Sequence, residues 1–162
     1  MVLDCGCGGG ANIKTLLKLC PKGKVQGIDY SAVSVEKARK VNAGAIAAGQ
    51  CTVQQASVAE LPFEAEQFDV VTAFETVYFW PELAQNFREV YRVLKPGGVF
   101  FICNEANGET AKDDKWTQII DGMTIYTDTA LKAYLEQAGF CKIQSHKKQK
   151  GLAVRYGAKA VK

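Results

Sequence analysis

Apolar residues recur along this chain in two alternating patterns, short runs of strand character and longer stretches at helical spacing. Val2-Leu3-Asp4 reads as the end of a strand that runs into Gly6, Gly8, Gly9 and Gly10. Ile13, Leu16, Leu17 and Cys20 then follow at helical spacing until Pro21 and Gly23 stop them. Residues 25–30 predict a second strand, and Ser31 caps a helix expected to reach about Ala48, ended by Gly49. Residues 51–56 and 68–74 predict two further strands. Pro81 suits the first turn of a helix whose Leu83, Phe87, Val90, Tyr91 and Leu94 form one apolar face. Lys95-Pro96-Gly97-Gly98 predicts a turn before a buried strand over 99–103. Residues 108–126 carry no decisive period. Thr127 caps a helix bearing Leu131, Tyr134, Leu135 and Ala138, with Gly139 as its stop. The tail predicts two strands around Gly151, with Leu152, Val154 and Tyr156 alternating on one face.

Strands alternating with helices imply right-handed crossovers and a mainly parallel sheet. The last two strands, joined by a tight turn, must be antiparallel. The expectation is an α/β, doubly wound, mainly parallel sheet of seven strands with the last antiparallel, in a single domain over residues 1–162. A chain of 162 residues, 48% of them hydrophobic, has the length and apolar content for one such core.

Charge narrows the partners. Twenty basic residues against 17 acidic ones leave a net +3, which calls for neither nucleic acid nor an anionic membrane. The longest apolar run, Val99-Phe100-Phe101-Ile102-Cys103, is far short of a membrane span, and Asp4 with the glycines interrupts any leader-like stretch after Met1. Six cysteines without a Cys-x-x-Cys pair, beside a single histidine, give no metal site and read as reduced thiols in a cytoplasmic protein. His146 and the cluster Lys147, Lys148 and Lys150 read as a solvated sheet edge.

The candidate chemistry starts at Asp4-Cys5-Gly6-Cys7-Gly8-Gly9-Gly10, between a strand and a helix. Glycines there let the backbone turn sharply and approach a ligand closely. Asp29 follows at the end of the next strand, where a carboxylate can accept both hydroxyls of a ribose. A nucleotide-like cofactor at the carboxyl ends of the first two strands fits both features. Gly6-x-Gly8-x-x-Ala11 also satisfies the dinucleotide fingerprint, so an NAD-dependent oxidoreductase is one reading. Asp4, two residues before the first glycine, favours a cationic amino group over a pyrophosphate.

Five motifs occur in order: Asp4-x-Gly6-x-Gly8-x-Gly10, Gly27-Ile28-Asp29-Tyr30-Ser31, Glu60-Leu61-Pro62-Phe63, Phe68-Asp69-Val70-Val71 and Leu94-Lys95-Pro96-Gly97-Gly98. This series resembles the class I S-adenosylmethionine-dependent methyltransferases, in particular their small-molecule (type 11) branch, over nearly the whole chain. The resemblance implies a Rossmann-like fold and methyl transfer to a small molecule. It implies that Asp4 meets the cofactor's amino group, that Gly6 and Gly8 pass beneath its methionine part, and that Asp29 holds the ribose beside Tyr30. Where the family usually has an adenine-contacting aspartate this sequence has Ser57, leaving Ser57 and the Val58 backbone for that contact. Residues Thr72 to Glu75, Phe74 among them, line the methionine side. Glu75, Tyr78 and Tyr126 are candidate bases, Glu75 equally an exposed loop carboxylate. Phe79 and Trp80 form either an acceptor wall or packing for the following helix, and Trp116 either a substrate cover or helix packing. A non-catalytic cofactor-binding module is a further reading.

Enzymes resembling this one begin with helices ahead of the first strand, and these are absent from the sequence as it stands. The expectation is therefore an open cleft with low activity. The apolar face under 68–74 and 99–103 would be bare and covered by a second copy of the chain.

Overall fold

A computed structural model describes residues 1–109, 111–150 and 153–162. Strand β1 (Val2–Cys5) is buried along its whole length, as a central parallel strand covered on both faces must be. It leads through the glycine loop to α1 (Ala11–Leu19), β2 (Val25–Asp29), α2 (Ala32–Val41), the short α3 (Ala43–Ala47) and β3 (Cys51–Gln55). The second half comprises β4 (Phe68–Phe74), a 3₁₀ turn at Val77–Phe79, α4 (Leu83–Val93), β5 (Leu94–Asn104), α5 (Ala111–Ile119), α6 (Asp128–Gln137), β6 (Cys141–Lys150) and β7 (Ala153–Val161).

The sheet runs β3-β2-β1-β4-β5-β7-β6. β1 to β5 are mutually parallel, and β7 lies antiparallel between β5 and β6. The expected doubly wound sheet, with its last strand inserted antiparallel, is the one observed. The order reverses at β1 and β4, so the crevice for a ligand opens above their carboxyl ends.

Alternating side chains build two cores. Leu3, Cys5, Val71, Ala73, Phe100 and Ile102 face α4 and α6, meeting Phe87, Val90, Leu131 and Leu135. Val2, Val25, Cys51 and Val53 face α1 and α2, meeting Ile13, Val35 and Ala38. The first core is aromatic: Phe87 meets Phe100 edge to face at 5.5 Å, and Trp80 lies parallel to Phe100 at 6.2 Å. Such pairs add about 0.5–1.5 kcal/mol beyond the burial of their area.

Three boundaries differ from expectation, and one segment without a predicted period is a helix. The helix after Ser31 breaks at Asn42, whose amide donates to Gly10 O at 3.0 Å and Ala38 O at 2.9 Å, tying the helix end to the glycine loop. Helix α4 starts at Leu83 rather than Pro81, because Glu82 takes a left-handed φ of 42° and Asn86 bonds back to Pro81 O. Strand β5 begins at Leu94, so Lys95–Gly98 is an irregularity within the strand, where the register to β4 shifts. Residues 111–119, which carried no period, form a helix. The caps at Ser31 and Thr127 and the stop at Gly139 stand where expected. Gly151 and Leu152, around which the tail turn was placed, lie outside the described residues. His146 is exposed on β6, the edge strand.

On the face under β4 and β5, Val70, Phe74, Val99, Phe101 and Cys103 are half-buried, and the Phe74 and Phe101 rings pack together at 5.9 Å.

Candidate active site

A cavity of about 420 Å³ opens at the switch point, within the range of small-molecule sites. Gly6, Ile28, Asp29, Tyr30, Ala56, Ser57 and Val58 line it from the end of β2 and the loops after β1 and β3. Thr76, Phe79, Trp80 and Pro81 line it from the segment after β4, with Asp121 and Gly122 from the segment after α5, and the two sets join where Gly6 packs against Thr76.

Backbone groups fix the first set. The Asp29 carboxylate accepts the Gly8 N–H at 2.9 Å on one oxygen and the Ser31 N–H at 2.9 Å on the other, joining the glycine loop to the start of α2. Gly6 and Cys7 N–H groups both donate to Ile28 O at 2.9 Å. Gly8 has φ of 51°, and a Cβ there would meet nothing within 4 Å. The backbone there can therefore be approached closely on that side. Ser57 Oγ accepts from its own turn, from Ala59 N–H at 3.2 Å.

That turn is anchored from below by a pair the sequence reading did not single out. Arg92 donates to Phe63 O at 2.8 Å, to Leu61 O at 3.0 Å and to Glu89 at 2.8 Å, while Glu89 accepts the Leu61 N–H at 3.0 Å. The Arg92 hydrogen bond holds the Glu89 carboxyl below its usual range. The Glu89-x-x-Arg92 spacing on one helix face was the available signal.

Asp4 is 1% exposed and does not line the cavity. Thr72 Oγ1 donates to its Oδ1 at 2.8 Å, and its Oδ2 is buried with no partner. Burial pushes its pKa up to about 7, against the Thr72 hydrogen bond, and the nearby Asp29 charge adds to the rise. A buried carboxyl oxygen without a donor suits a cation that the protein does not itself supply. The glycine loop, the ribose-suited Asp29 and this oxygen together fit S-adenosylmethionine.

Near the second set the backbone is strained. Glu75, exposed just past β4, has φ of 56°, and its N–H bonds Cys103 O at 2.9 Å. Tyr78 is buried, and its hydroxyl accepts the Ala106 N–H at 2.9 Å and lies 3.1 Å from Glu75 Oε2 as donor. Burial, reinforced by the Glu75 charge, pushes that phenol well above its ordinary value. Such a phenol holds its proton, so Tyr78 fits the positioning of Glu75 better than the role of a base. Trp80 donates to Thr76 Oγ1 at 3.3 Å, and Thr124 N–H donates to Tyr78 O at 2.9 Å. Tyr126 packs against Tyr134 at 5.9 Å.

Of the residues singled out from the sequence, Gly6, Asp29, Tyr30, Ser57 and Val58 line the cavity, whereas Asp4, Gly8, Phe74, Glu75 and Tyr78 do not. Trp80 does both things expected of it, lining the cavity and packing on Phe87. Ile28, Ala56, Thr76, Pro81, Asp121 and Gly122 were not singled out as cavity residues. The last two come from the stretch without a period.

The fold and the cavity at its switch point suit a nucleotide-type cofactor, and the comparisons narrow the class. Residues 3–102 match the model of the methyltransferase domain family. 24-methylenesterol C-methyltransferase 2 of Arabidopsis thaliana is 30% identical over 124 residues, 75% of this chain and 34% of that protein. Demethylmenaquinone methyltransferase of Symbiobacterium thermophilum is 36% identical over 107 residues, 65% of this chain and 42% of that protein. A solved SAM-dependent methyltransferase from Aquifex aeolicus superposes with a TM-score of 0.79 at 22% identity, covering 99% of this chain and 80% of that one. The chain therefore belongs to the methyltransferase domain family, the S-adenosylmethionine-dependent methyltransferases of Rossmann-like fold. It spans less than half the length of these two curated relatives. The nicotinamide reading falls with this assignment. Among the described residues, no cluster of metal ligands occurs and no helix is long and apolar enough to cross a membrane.

Proposed function

We propose that this chain transfers a methyl group from S-adenosylmethionine to a small-molecule acceptor, as a cytoplasmic enzyme. One observation carries the reading: a single cavity joins a backbone-held carboxylate, Asp29, to an apolar wall of Phe79, Trp80 and Pro81. The first suits a ribose and the second an acceptor.

When bound, the cofactor supplies a methyl group already activated on a sulfonium. The protein's work is then mainly to orient, and orientation alone is worth effective molarities of roughly 10⁵ M or more. Asp29 accepts the ribose hydroxyls, held in place by the Gly8 and Ser31 N–H groups. Tyr30, Ser57 and Val58 take the adenine side, with Val58 offering backbone groups where the Ser57 hydroxyl is engaged in its turn. Gly6 and Gly8 carry the backbone beneath the methionine part, and the unpartnered Asp4 oxygen suits its ammonium. The end of β4 at Phe74 completes that side through its backbone, because its ring is turned to Phe101. Glu75, held by the Tyr78 hydroxyl, accepts a proton where the acceptor arrives protonated. The acceptor belongs on the Phe79 side, and relatives named for a sterol and a quinone support a small molecule there. A second copy covering the half-buried β4–β5 face is part of the same reading.

The test is transfer of an isotope-labelled methyl group from S-adenosylmethionine by the full chain, across a panel of sterols, quinols, amines and thiols. Label on one acceptor with stoichiometric S-adenosylhomocysteine supports the reading. Saturable cofactor binding with no transfer to any of them would favour a non-catalytic module.

A further inference from the structure

We infer that the methyl acceptor is an apolar molecule without an anionic group, seated between Phe79, Trp80 and Pro81 and the last turn of α5. Trp116 and Ile119 form its outer wall. This rests on the methyl-transfer reading and names its substrate class.

Charge is the first argument. Among the described residues, Asp29 and Asp121 are the only carboxylates lining the cavity, and no Lys or Arg lines it. Recognition of a phosphate or carboxylate calls for a guanidinium, an ammonium or a cluster of free backbone N–H groups. At the Phe79 end the wall instead offers Phe79, Trp80, Pro81 and Gly122, with Asp121 as its one charge. An anionic acceptor would be desolvated against apolar side chains and face a like charge.

Exposed apolar surface is the second argument. Phe79 is 44% exposed, Trp116 50% and Ile119 63%. Scattered exposed hydrophobes are ordinary, as Leu19 on α1 and Val33 on α2 are, and Tyr30 is exposed beside Asp29 on the cavity wall. Phe79, Trp116 and Ile119 are not scattered. Phe79 lines the cavity, and Ile119 stands two residues before Asp121, which lines it too. Trp116 and Ile119 share one face of α5 by their spacing of three. The Thr124 N–H to Tyr78 O bond of 2.9 Å fastens the segment following α5 to the Val77–Phe79 turn. With Phe79 exposed on the cavity wall, and Trp116 and Ile119 exposed on the helix whose following segment reaches that wall at Asp121 and Gly122, an apolar ligand has a surface on which to continue out of the cavity.

The test uses the full chain saturated with S-adenosylhomocysteine. Equilibrium dialysis measures binding of desmosterol and a short-chain quinol, each in the same mild detergent, against malonate and phosphoethanolamine. At least one apolar probe should bind saturably and at least tenfold tighter than either anion. Trp116→Glu and Ile119→Glu should each weaken it tenfold or more, with S-adenosylmethionine affinity unchanged within twofold. Tighter binding of an anion overturns the inference, as does apolar binding indifferent to both substitutions. A dimer in sedimentation that either substitution dissociates also overturns it, by assigning the face to a second copy. Cofactor affinity is measured on the same samples. Failure of the parent chain to bind S-adenosylmethionine therefore defeats the methyl-transfer reading itself and is distinguished from a wrong acceptor class.

Discussion

The two ends of one cavity are built on opposite principles. The β1–β3 end is made of backbone: Asp29 spans Gly8 and Ser31, Gly6 and Cys7 share one carbonyl, and Arg92 with Glu89 holds the Leu61–Phe63 turn. The β4–β5 end is made of side chains on strained or exposed segments, with Glu75 and Glu82 at positive φ and Phe79, Trp116 and Ile119 in water. Backbone geometry constrains sequence tightly, through glycines, caps and a carboxylate at a fixed place. Side-chain walls accept many sequences. An end that holds an invariant cofactor can be built the first way, and an end that chooses among acceptors is built the second.

If that contrast is real, substitutions at the first end should act on fold and cofactor, and those at the second on turnover. The largest effect falls on Gly10→Ala. Gly10 has φ of 80°, and a Cβ would sit 2.9 Å from the Ala38 Cα. The left-handed backbone costs about 1–2 kcal/mol and overpacking about 1–3 more. Urea unfolding should record a loss of about 2–5 kcal/mol, and a loss under about 1 kcal/mol would contradict the packing described.

Asp4 comes next and has a definite sign. Its folded pKa of about 7 stands above the ordinary 3.8, so between those values the folded chain holds a proton that the unfolded chain releases. Stability from this group is therefore lost as pH rises from about 4 to 7. The groups acting on it are Thr72 and Asp29, while the Cys5 and Cys7 thiols are themselves held protonated by burial, with the Asp4 charge adding to the effect. Asp4→Asn should melt like the parent near pH 4.5 and be more stable at pH 8, by roughly 2–4 kcal/mol. An advantage independent of pH would sink the assignment.

Asp29→Ala should weaken S-adenosylmethionine binding about ten- to hundredfold, the equivalent of about 1.5–3 kcal/mol for charge-assisted hydrogen bonds. Unchanged affinity in calorimetry would remove Asp29 from the ribose. The smallest effect belongs to the second end. Glu75→Gln should lower turnover with an identified acceptor by less than about tenfold, since an activated methyl needs aim more than a base. A loss above about a thousandfold at saturating cofactor would make Glu75 a general base.

The same contrast explains what was legible in the sequence. Strand periods, the caps at Ser31 and Thr127, and the glycine loop with Asp29 follow from local chemistry, and each stands where the pattern put it. The break at Asn42 was invisible because it is made by a tertiary bond to Gly10. Strand β5 hid its start because Pro96 and Gly97 signal a turn, while pairing across β4 keeps Leu94 in the ladder. Asp121 and Gly122 line the cavity from a segment that the Thr124–Tyr78 bond ties to the Val77–Phe79 turn, a contact between distant parts of the chain. Tyr78 carried a phenol's chemistry on paper, and only its burial beside Glu75 shows the proton to be held. Local rules read the β1–β3 side. The β4–β5 side depends on which distant segments meet.

Calorimetric titration of the full chain with S-adenosylmethionine, S-adenosylhomocysteine and NAD tests the central claim most directly. Saturable one-to-one binding of both adenosyl compounds, with no heat from NAD at the same concentrations, is the predicted result. Binding of NAD in preference to S-adenosylmethionine, or of neither, would contradict it.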